Sequence, residues 1–372
     1  MIVELHILQN FAPSNLNRDD TGQPKACDFG GFRRARISSQ CLKRAIRQQF
    51  NAADVFSAAN RAVRTKRLAE HLGKRFERAG KPSDQARSVA ATALKALGLS
   101  LDGEDLTQYL IFAGNAEIEA IADICLARWE SLLAAAGELP KEAVNAIRGA
   151  LTGGKAVDLA LFGRMLADLP IRNVDAAAQV AHALSTNQVD VEFDFYTAVD
   201  ELNPRDTTGA GMLGTIEFNS ACFYRYSNVD VDQLARNLGD DVDLARRAVE
   251  AFVRASVAAI PTGKQNSMAA HNPPSFVFAV VRRNGLWNLA NAFAQPVRPT
   301  SSRDLVAGSI DALAAHWRAL GKMYGFGPVV GGWAVALDGN PSLDRATTVG
   351  TLDELVAGIA GALGGPSEEA AA

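Results

Sequence analysis

The spacing of apolar residues changes along the chain, and this change limits the folds that the sequence can adopt. Near the N-terminus Val3, Leu5 and Ile7 alternate with polar residues, which is the period-two pattern of a half-buried strand. From about residue 53 to residue 185 alanine and leucine dominate, and amphipathic windows typical of helices follow one another. These windows are 57–79, 84–97, 115–136, 141–151 and 175–184. Period-two spacing then returns, so we predict an α+β fold in which a helical insertion separates the halves of a sheet domain.

A long β-hairpin is predicted where the period-two spacing returns. Phe193 and Phe195 alternate with acidic residues, and a second strand-like run covers residues 215–226. The connection, residues 203–214, contains one proline and three glycines. Because an isolated hairpin is only marginally stable, we interpret this one as an arm that needs a partner.

The rest of the chain is predicted from the same two spacings. A polar loop is expected at 261–272, a strand at 275–282 and an apolar run at 329–337. The predicted helices are 231–238, 243–259, 303–322 and 352–363, and residues 367–372 are expected to fray.

Positive charge is concentrated between Lys25 and Arg47. This stretch contains seven basic residues and one acid, Asp28, so its charge is +6 in a chain whose total is −3, and the remainder carries −9. A chain that is acidic elsewhere and strongly basic in one place is typical of proteins that bind a polyanion in a confined groove.

The basic stretch ends in a predicted amphipathic helix. Ser38 or Ser39 can cap its N-terminus, while Lys43, Arg44 and Arg47 fall on one arc of the helix. The opposite arc is apolar and contains Leu42, Ala45, Ile46 and Phe50. Helix N-termini and hydroxyl groups of this kind can bind phosphate. A solvated basic helix on an ordinary surface explains the same composition, so both interpretations stay open at this point.

Composition argues against several classes of protein. The chain is 48% hydrophobic and 21% charged, which suits a soluble protein with a substantial core. Its four cysteines include no CxxC pair, so we predict no zinc site, no disulfide framework and no cofactor. The N-terminus lacks the features of a signal peptide, and no apolar run is long enough to span a bilayer, so we expect a cytoplasmic protein without membrane contact.

Two rival interpretations remain for the region around the basic stretch. Asp19 and Asp20 are adjacent carboxylates in a predicted loop, and such a pair could bind a metal in a metal-dependent nuclease. Arg18 stands beside them, so the carboxylates could instead orient that arginine. Alternatively, the basic helix could contact the acidic surface of a second copy in an oligomer without nucleic acid.

Six phrases of this sequence resemble one protein family. They are LNRDD (16–20), FGGFRRARISSQCLKRA (29–45), GRM (163–165), DFYTAVDEL (194–202), LGTIEF (213–218) and FYRY (223–226). In this order and at these separations they are similar to the CasC-type backbone subunit of type I-E CRISPR Cascade, over nearly the full length.

The resemblance implies an architecture like a right hand. The palm would be a modified, ferredoxin-like RNA-recognition-motif sheet, the fingers a helical insertion and the thumb the long β-hairpin. The expected ranges are 1–54 and 227–345 for the palm, 55–185 for the fingers, 186–226 for the thumb and 346–372 for a terminal helix and tail.

The resemblance also implies a function in antiviral defence. Several copies would line up along a CRISPR RNA (crRNA), together with other Cascade subunits, and hold the guide for pairing with target DNA. The subunit would have no catalytic activity, since cleavage belongs to a separate, recruited nuclease.

The family's contact residues can be placed on this sequence by position. The RNA backbone would be held by Asn17, Arg18, Lys25, Ser38, Gln40, Lys43, Arg44 and Arg47, with Arg67 on a finger helix and with Lys264 and Gln265 in a loop. The displaced base would meet Arg164, Met165 and the thumb residues Phe195, Tyr196, Thr197 and Leu213. The sequence departs from the family in the fingers, where only Lys141, Arg148 and Lys155 represent a lysine-rich loop associated with target DNA.

Overall fold

The structure, a computed structural model, describes residues 1–134, 140–198, 212–339 and 341–364. The chain divides into two units, which we call the sheet unit and the helical unit. The sheet unit contains Met1–Ala52, Val180–Asn228 and Val249–Ala372, and the helical unit contains Ala53–Gln179 and Val229–Ala248. Residues 229–248, which we grouped with the palm, thus lie in the helical unit.

The strands of the described residues are, in chain order, β1 (Ile2–Ser14), β2 (Ala26–Phe29), β3 (Phe32–Ile37), β4 (Ala62–Thr65), β5 (Ile111–Gly114), β6 (Ala178–Val180), β7 (Ala183–Ser185), β8 (Glu192–Ala198), β9 (Met212–Asp230), β10 (Phe276–Arg282), β11 (Val329–Ala336) and β12 (Thr347–Thr348).

The α-helices of the same residues are α1 (Ser39–Ala52), α2 (Leu68–Arg78), α3 (Ser83–Ala96), α4 (Asn115–Ala127), α5 (Trp129–Ala134), α6 (Lys141–Gly149), α7 (Val157–Phe162), α8 (Val231–Asn237), α9 (Val242–Ala258), α10 (Gln265–Met268), α11 (Leu305–Tyr324) and α12 (Leu352–Ala362). Short 3₁₀ turns occur at Ala58–Asn60, Pro170–Arg172 and Leu289–Phe293.

The sheet unit is built on a large mixed sheet. Its strand order is β12-β11-β10-β1-β9-β7-β3-β2, and β8 joins it by pairing with β9. Strand β1 is antiparallel to β10, whereas β11 and β12 are parallel. The predicted α+β class is therefore confirmed. The helices predicted after residue 230 also form, although the predicted loop at 261–272 contains the short helix α10.

The central strand β1 forms as predicted, but it is not half-buried. Its polar residues Glu4, His6 and Gln9 are fully buried along with the apolar ones. An aromatic cluster covers the face of β1 that bears Glu4 and His6, where the His6 ring stacks on Phe278. Gln9 lies on the other face, where its side-chain oxygen accepts a hydrogen bond of 2.6 Å from Arg225. The buried polar groups are paired instead of solvated, as when Glu4 forms an ion pair of 3.0 Å with Arg282.

The basic helix α1 has the predicted orientation. Its buried residues are Leu42, Ala45, Ile46 and Phe50. The Ser38 hydroxyl oxygen accepts a hydrogen bond of 3.3 Å from the backbone N–H of Cys41, which makes Ser38 the predicted N-cap. Upstream, Gly30 and Gly31 join β2 to β3 with φ angles of 63° and 84°. Two consecutive positive φ values match the twist of a tight hairpin, so glycine is required there.

The helical unit agrees with the windows at 84–97, 115–136 and 141–151, which form α3, α4 with α5, and α6. Residues 135 and 136 of the second window lie outside the described residues. The window at 57–79 is α-helical only from Leu68, because β4 upstream pairs with β5 in a two-stranded sheet that we did not predict. The helix predicted at 175–184 is wrong, since this segment forms strands β6 and β7. Pairing with other strands here overrides the helix propensity of alanine.

No helix among the described residues is both long enough and apolar enough to span a membrane.

Candidate nucleic-acid interface

A groove of about 450 Å³ opens beside α1 in the sheet unit. Three segments form it: the loop after β1, the exposed side of α1 and the loop after α9. We call it the α1 groove, and its lining residues are Leu16, Asn17, Arg18, Asp19, Asp20, Gly22, Cys41, Arg44, Ala45, Gln48, Pro261, Thr262 and Gly263. The structure thus brings together three of the predicted RNA contacts, Asn17, Arg18 and Arg44, which come from two separate stretches of sequence.

Asn17 links the loop after β1 to the N-terminus of α1. Its side-chain oxygen accepts a hydrogen bond of 2.8 Å from the backbone N–H of Ser38, and its backbone carbonyl oxygen accepts one of 2.9 Å from the backbone N–H of Lys25. Ser38 is buried and serves as the cap described above. Both predicted contacts, Asn17 and Ser38, therefore shape the groove by holding its wall, and Lys25 is fixed beside them.

The loop after α9 approaches the loop after β1 without a side chain between them. A Cβ atom built on Gly263 would overlap the carbonyl oxygen of Leu16, so only glycine fits there. Lys264 follows with a left-handed φ of 53°. The Gln265 side-chain amide donates to the carbonyl oxygens of Pro261 and Ala270, at 2.9 Å and 3.3 Å. Gln265 thus closes this loop on itself, while Lys264 sits half-buried at its start.

Two cations, Arg18 and Arg44, line the α1 groove together with the carboxylates Asp19 and Asp20. Arg44 and Gln40 are exposed, Lys43 and Arg47 are half-buried, and Arg44 Nη1 lies 3.5 Å from the Thr262 hydroxyl. Burial raises the pKa of the Cys41 thiol in the groove wall, and the nearby charges of Arg44 and Lys25 oppose that rise. The positive charges of Lys25 and Arg44 therefore lie near the same part of the groove wall, where they can attract a polyanion.

One cation of the basic stretch does not belong to this surface. Arg34 is fully buried, and its guanidinium donates to four backbone carbonyl oxygens, those of Ser185, Thr186, Phe293 and Ala294. Arg34 therefore joins segments of the sheet unit, and the count of +6 overstates the charge that a ligand meets.

The two strands of the predicted arm pair from Glu192 with Phe218 to Ala198 with Met212. Phe195 and Tyr196 are 72% and 39% exposed, and Thr197 is exposed as well. A Cβ atom built on Gly214 would overlap the Tyr196 ring, so this ring covers the glycine opposite it. The Leu213 side chain and residues 199–211, most of the predicted connection, lie outside what the structure describes.

In the helical unit the predicted contacts have different environments. Arg67 is exposed and forms an ion pair of 3.2 Å with Glu70. Arg164 is buried, and its Nη1 lies 2.7 Å from Oε2 of the equally buried Glu117. The guanidinium of Arg164 is thus enclosed by protein groups, and its contact with RNA stays a prediction. Its neighbour Met165 is 82% exposed.

Asp19, one of the two carboxylates of the rival metal site, holds the structure of its own loop. Asp19 Oδ1 accepts hydrogen bonds from the Thr21 hydroxyl and from the backbone N–H groups of Thr21 and Gln23, at 2.8, 3.0 and 2.9 Å. The Thr21 hydroxyl contributes most to lowering the pKa of Asp19. Asp19 therefore builds the loop as an Asx turn. Within the described residues, no group of three or more His, Cys, Asp or Glu side chains is placed to hold a metal ion.

Sequence reasoning missed two residues that shape the groove. Thr262 and Gly263 line it, yet the sequence predicts only a polar loop in this region. Nothing local to residues 261–264 indicates that Gly263 touches Leu16, because the two are far apart in the chain.

Comparisons with known proteins agree with the motif-based resemblance. The chain is similar over 98% of its length to the whole of a chain in a structure titled "CRISPR RNA-guided surveillance complex, pre-nicking", with 30% identity and a TM-score of 0.87. A second structure, titled "CRISPR RNA-guided surveillance complex", contains a chain that is 25% identical with a TM-score of 0.76, covering 97% of this chain and 100% of that one.

Comparison with curated proteins gave no match. A sequence profile described as "CT1975-like protein" matches residues 3–358, which is nearly all of the chain. These matches confirm the resemblance to a CRISPR backbone subunit, and the chain belongs to the CT1975-like protein family.

Proposed function

We propose that this chain is a repeating backbone subunit of a CRISPR RNA-guided surveillance complex and that its α1 groove binds the sugar-phosphate backbone of the crRNA. The observation that carries the proposal is the full-length likeness, at a TM-score of 0.87, to a chain of an RNA-guided complex. Two observations support it independently in a chain whose net charge is −3: Arg18 and Arg44 line the groove, and Lys43 and Arg47 lie on the same helix as Arg44.

Backbone recognition suits a subunit that must accept any guide sequence. Phosphate contacts position a strand without reading its bases. The affinity for single-stranded RNA should therefore fall as the salt concentration rises. On logarithmic scales the binding constant should decrease with salt concentration at a slope of roughly 0.7 per phosphate neutralised.

The right-hand architecture is part of the same proposal. The sheet unit would be an RNA-recognition-motif-like palm, the helical unit the fingers, and β8 with the start of β9 the thumb. The exposed rings of Phe195 and Tyr196 support a thumb that meets a partner. An aromatic side chain stacked on a displaced base contributes on the order of 1–3 kcal/mol.

The proposed partners follow from this role. Further copies of the chain and other Cascade subunits would share one crRNA, and target DNA would be recognised by pairing with the guide. The subunit would not be an enzyme, and a separate nuclease would cut. A nuclease at Asp19 and Asp20 would instead cleave labelled RNA with Mg²⁺ or Mn²⁺ and lose that activity in Asp20→Ala, whereas we expect no cleavage by either protein.

The direct test reverses two charges of α1. A protein with Lys43→Glu and Arg47→Glu should purify without crRNA while unfolding at the temperature of the wild type. The control is Arg283→Glu with Lys322→Glu, which changes two exposed cations of the same unit. Because Ile2 pairs with Arg282, Arg283 lies at the end of β1 opposite the groove loop.

The control should retain crRNA at the wild-type stoichiometry. If the α1 variant also retains it, the basic side of α1 does not hold the RNA and the proposal fails at its central point.

A further inference from the structure

Lys25 and Arg36 lie together beside Leu16 and Asn17, which also line the α1 groove. His182 is exposed in the turn between β6 and β7, and its Nδ1 lies 2.9 Å from Nη1 of Arg36 on β3. The pairing of β3 with β7 brings the two residues close together, since Arg36 pairs with Leu184, two residues after His182. Neither Arg36 nor His182 is among the RNA contacts predicted from the sequence.

The hydrogen bond determines the protonation of the imidazole. A guanidinium has only donors, so Nδ1 of His182 must accept from Arg36. An accepting Nδ1 carries no proton, and the ring is therefore neutral with its proton on Nε2. The exposed imidazole can thus offer one further N–H group to a ligand.

The charges around His182 are positive. Burial lowers the pKa of His182, and the cations Arg36, on β3, and Lys25, in the residues before β2, lower it further. These two are the charged groups that act on the imidazole within the described residues. Lys25 also acts on the Cys41 thiol in the α1 groove, as Arg44 does. Positive charge therefore continues from Arg44 through Lys25 to Arg36.

We propose that Lys25, Arg36 and His182 bind a phosphate of the same RNA strand that occupies the α1 groove, and that His182 takes up a proton as that phosphate binds. The inference rests on the proposed function and adds a site to it. The proton comes from solvent and occupies Nδ1, which ends the hydrogen bond with Arg36. Arg36 then donates to the phosphate oxygens together with the imidazolium and the Lys25 ammonium, in charge-assisted hydrogen bonds.

The sign of the pH dependence follows from this exchange. In the free protein burial and the two cations hold the pKa of His182 below its ordinary value, whereas a bound phosphate offsets the charge of the cations and raises the pKa. The bound state therefore holds more protons, so affinity for RNA increases as pH falls through the bound-state pKa. For one proton the gain is at most about tenfold per pH unit.

The test measures binding of a labelled oligouridylate to the full chain from neutral to mildly acidic pH. The wild type should bind more tightly as pH falls, and His182→Gln should lose most of that dependence, because the glutamine amide can still accept from Arg36 but does not titrate. The control His316→Gln, which changes a histidine of α11, should keep the wild-type dependence. Arg36→Gln removes one of the three groups on this phosphate and should reduce the salt slope by at most roughly 0.7, the value for a whole phosphate contact.

A second measurement follows the histidine directly. The chain has five histidines, so His182 can be assigned in an NMR spectrum by its absence from His182→Gln. Its pKa should rise on addition of the RNA. An unchanged pKa would overturn the inference, and so would an RNA affinity that depends equally on pH in His182→Gln and the wild type. In either case, salt-sensitive RNA binding by the wild type would uphold the proposed function. Absence of any salt-sensitive binding by the wild type would overturn both.

Discussion

The backbone N–H of Ser38 donates a hydrogen bond of 2.8 Å to the side-chain oxygen of Asn17, 21 residues earlier in the chain. This bond joins the N-terminus of α1 to the loop that forms the opposite wall of the groove. Helix geometry and groove geometry therefore depend on one amide side chain.

Replacing Asn17 should separate those two effects. Asn17→Ala leaves the N–H of Ser38 without its acceptor, so we expect the free energy of unfolding to fall by about 1–2 kcal/mol. Asn17→Asp keeps an acceptor and should unfold like the wild type. Its added negative charge at the groove should nevertheless weaken RNA binding. Denaturant unfolding and RNA titration measure the two quantities, and equal stability of Asn17→Ala and the wild type would contradict this role.

Gly263 provides a second test of the groove. In Gly263→Ala the new methyl group would overlap the carbonyl oxygen of Leu16, so the two loops must move apart. We expect a loss of about 1–3 kcal/mol in the free energy of unfolding, typical of an overpacked contact, and weaker RNA binding.

The matched control is Gly361→Ala in α12. A Cβ atom on Gly361 would meet no atom within 4 Å, and alanine favours helix, so this variant should be as stable as the wild type or more stable. Wild-type stability and RNA affinity in Gly263→Ala would show that the two loops are not in contact.

Arg164 should matter for stability and not for RNA affinity. Arg164→Met leaves the buried Glu117 carboxylate without its ion-pair partner, and breaking a buried pair in this way costs about 3–5 kcal/mol. Adding Glu117→Gln removes the unpaired charge and should recover part of the loss. Thermal unfolding of the single and double variants checks this. If Arg164→Met instead unfolds normally but loses RNA, the guanidinium must reach the ligand.

His6 should make folding sensitive to acid. Burial lowers the pKa of His6 to about 3 in the folded chain, whereas the unfolded residue has the ordinary value of 6.5. Below pH 6.5 the unfolded state therefore binds a proton that the folded state does not. Stability should fall with decreasing pH between these two values, by at most about 1.4 kcal/mol per pH unit.

The comparison for His6 is His6→Gln, which can still accept from the Tyr224 hydroxyl, 2.8 Å from His6 Nδ1 in the wild type. The difference in free energy of unfolding between the two proteins should shrink as pH falls. A difference that stays constant with pH would mean that His6 titrates alike in both states.

Sequence patterns correctly predicted the helices and strands that depend on residues close together in the chain. Helix α1 was correct in its buried face and in its cap because both depend on spacing within a few residues. The two strands of the arm were correct for the same reason. Strand β1 was correct as a strand, but its polar residues are buried, because partners such as Tyr224 and Arg282 lie more than 200 residues away in the chain.

The departures from the sequence pattern have the same physical origin. A charged residue in a sequence indicates exposure, but Arg34 and Arg164 are buried, with carbonyl oxygens and Glu117 as partners. The helix predicted at 175–184 failed because pairing with β3 and β9 decides the structure of that alanine-containing segment. Contacts between distant segments also placed His182 beside Arg36, which spacing alone could not indicate.

The most direct test of the central claim is the mass and nucleic-acid content of the assembly purified from its native cells at low salt. One chain has a mass of 39.5 kDa. The account predicts a particle that contains several copies of the chain and one RNA strand, and that dissociates when the RNA is digested. A particle of the same copies without RNA, or a single chain free of RNA, would contradict it.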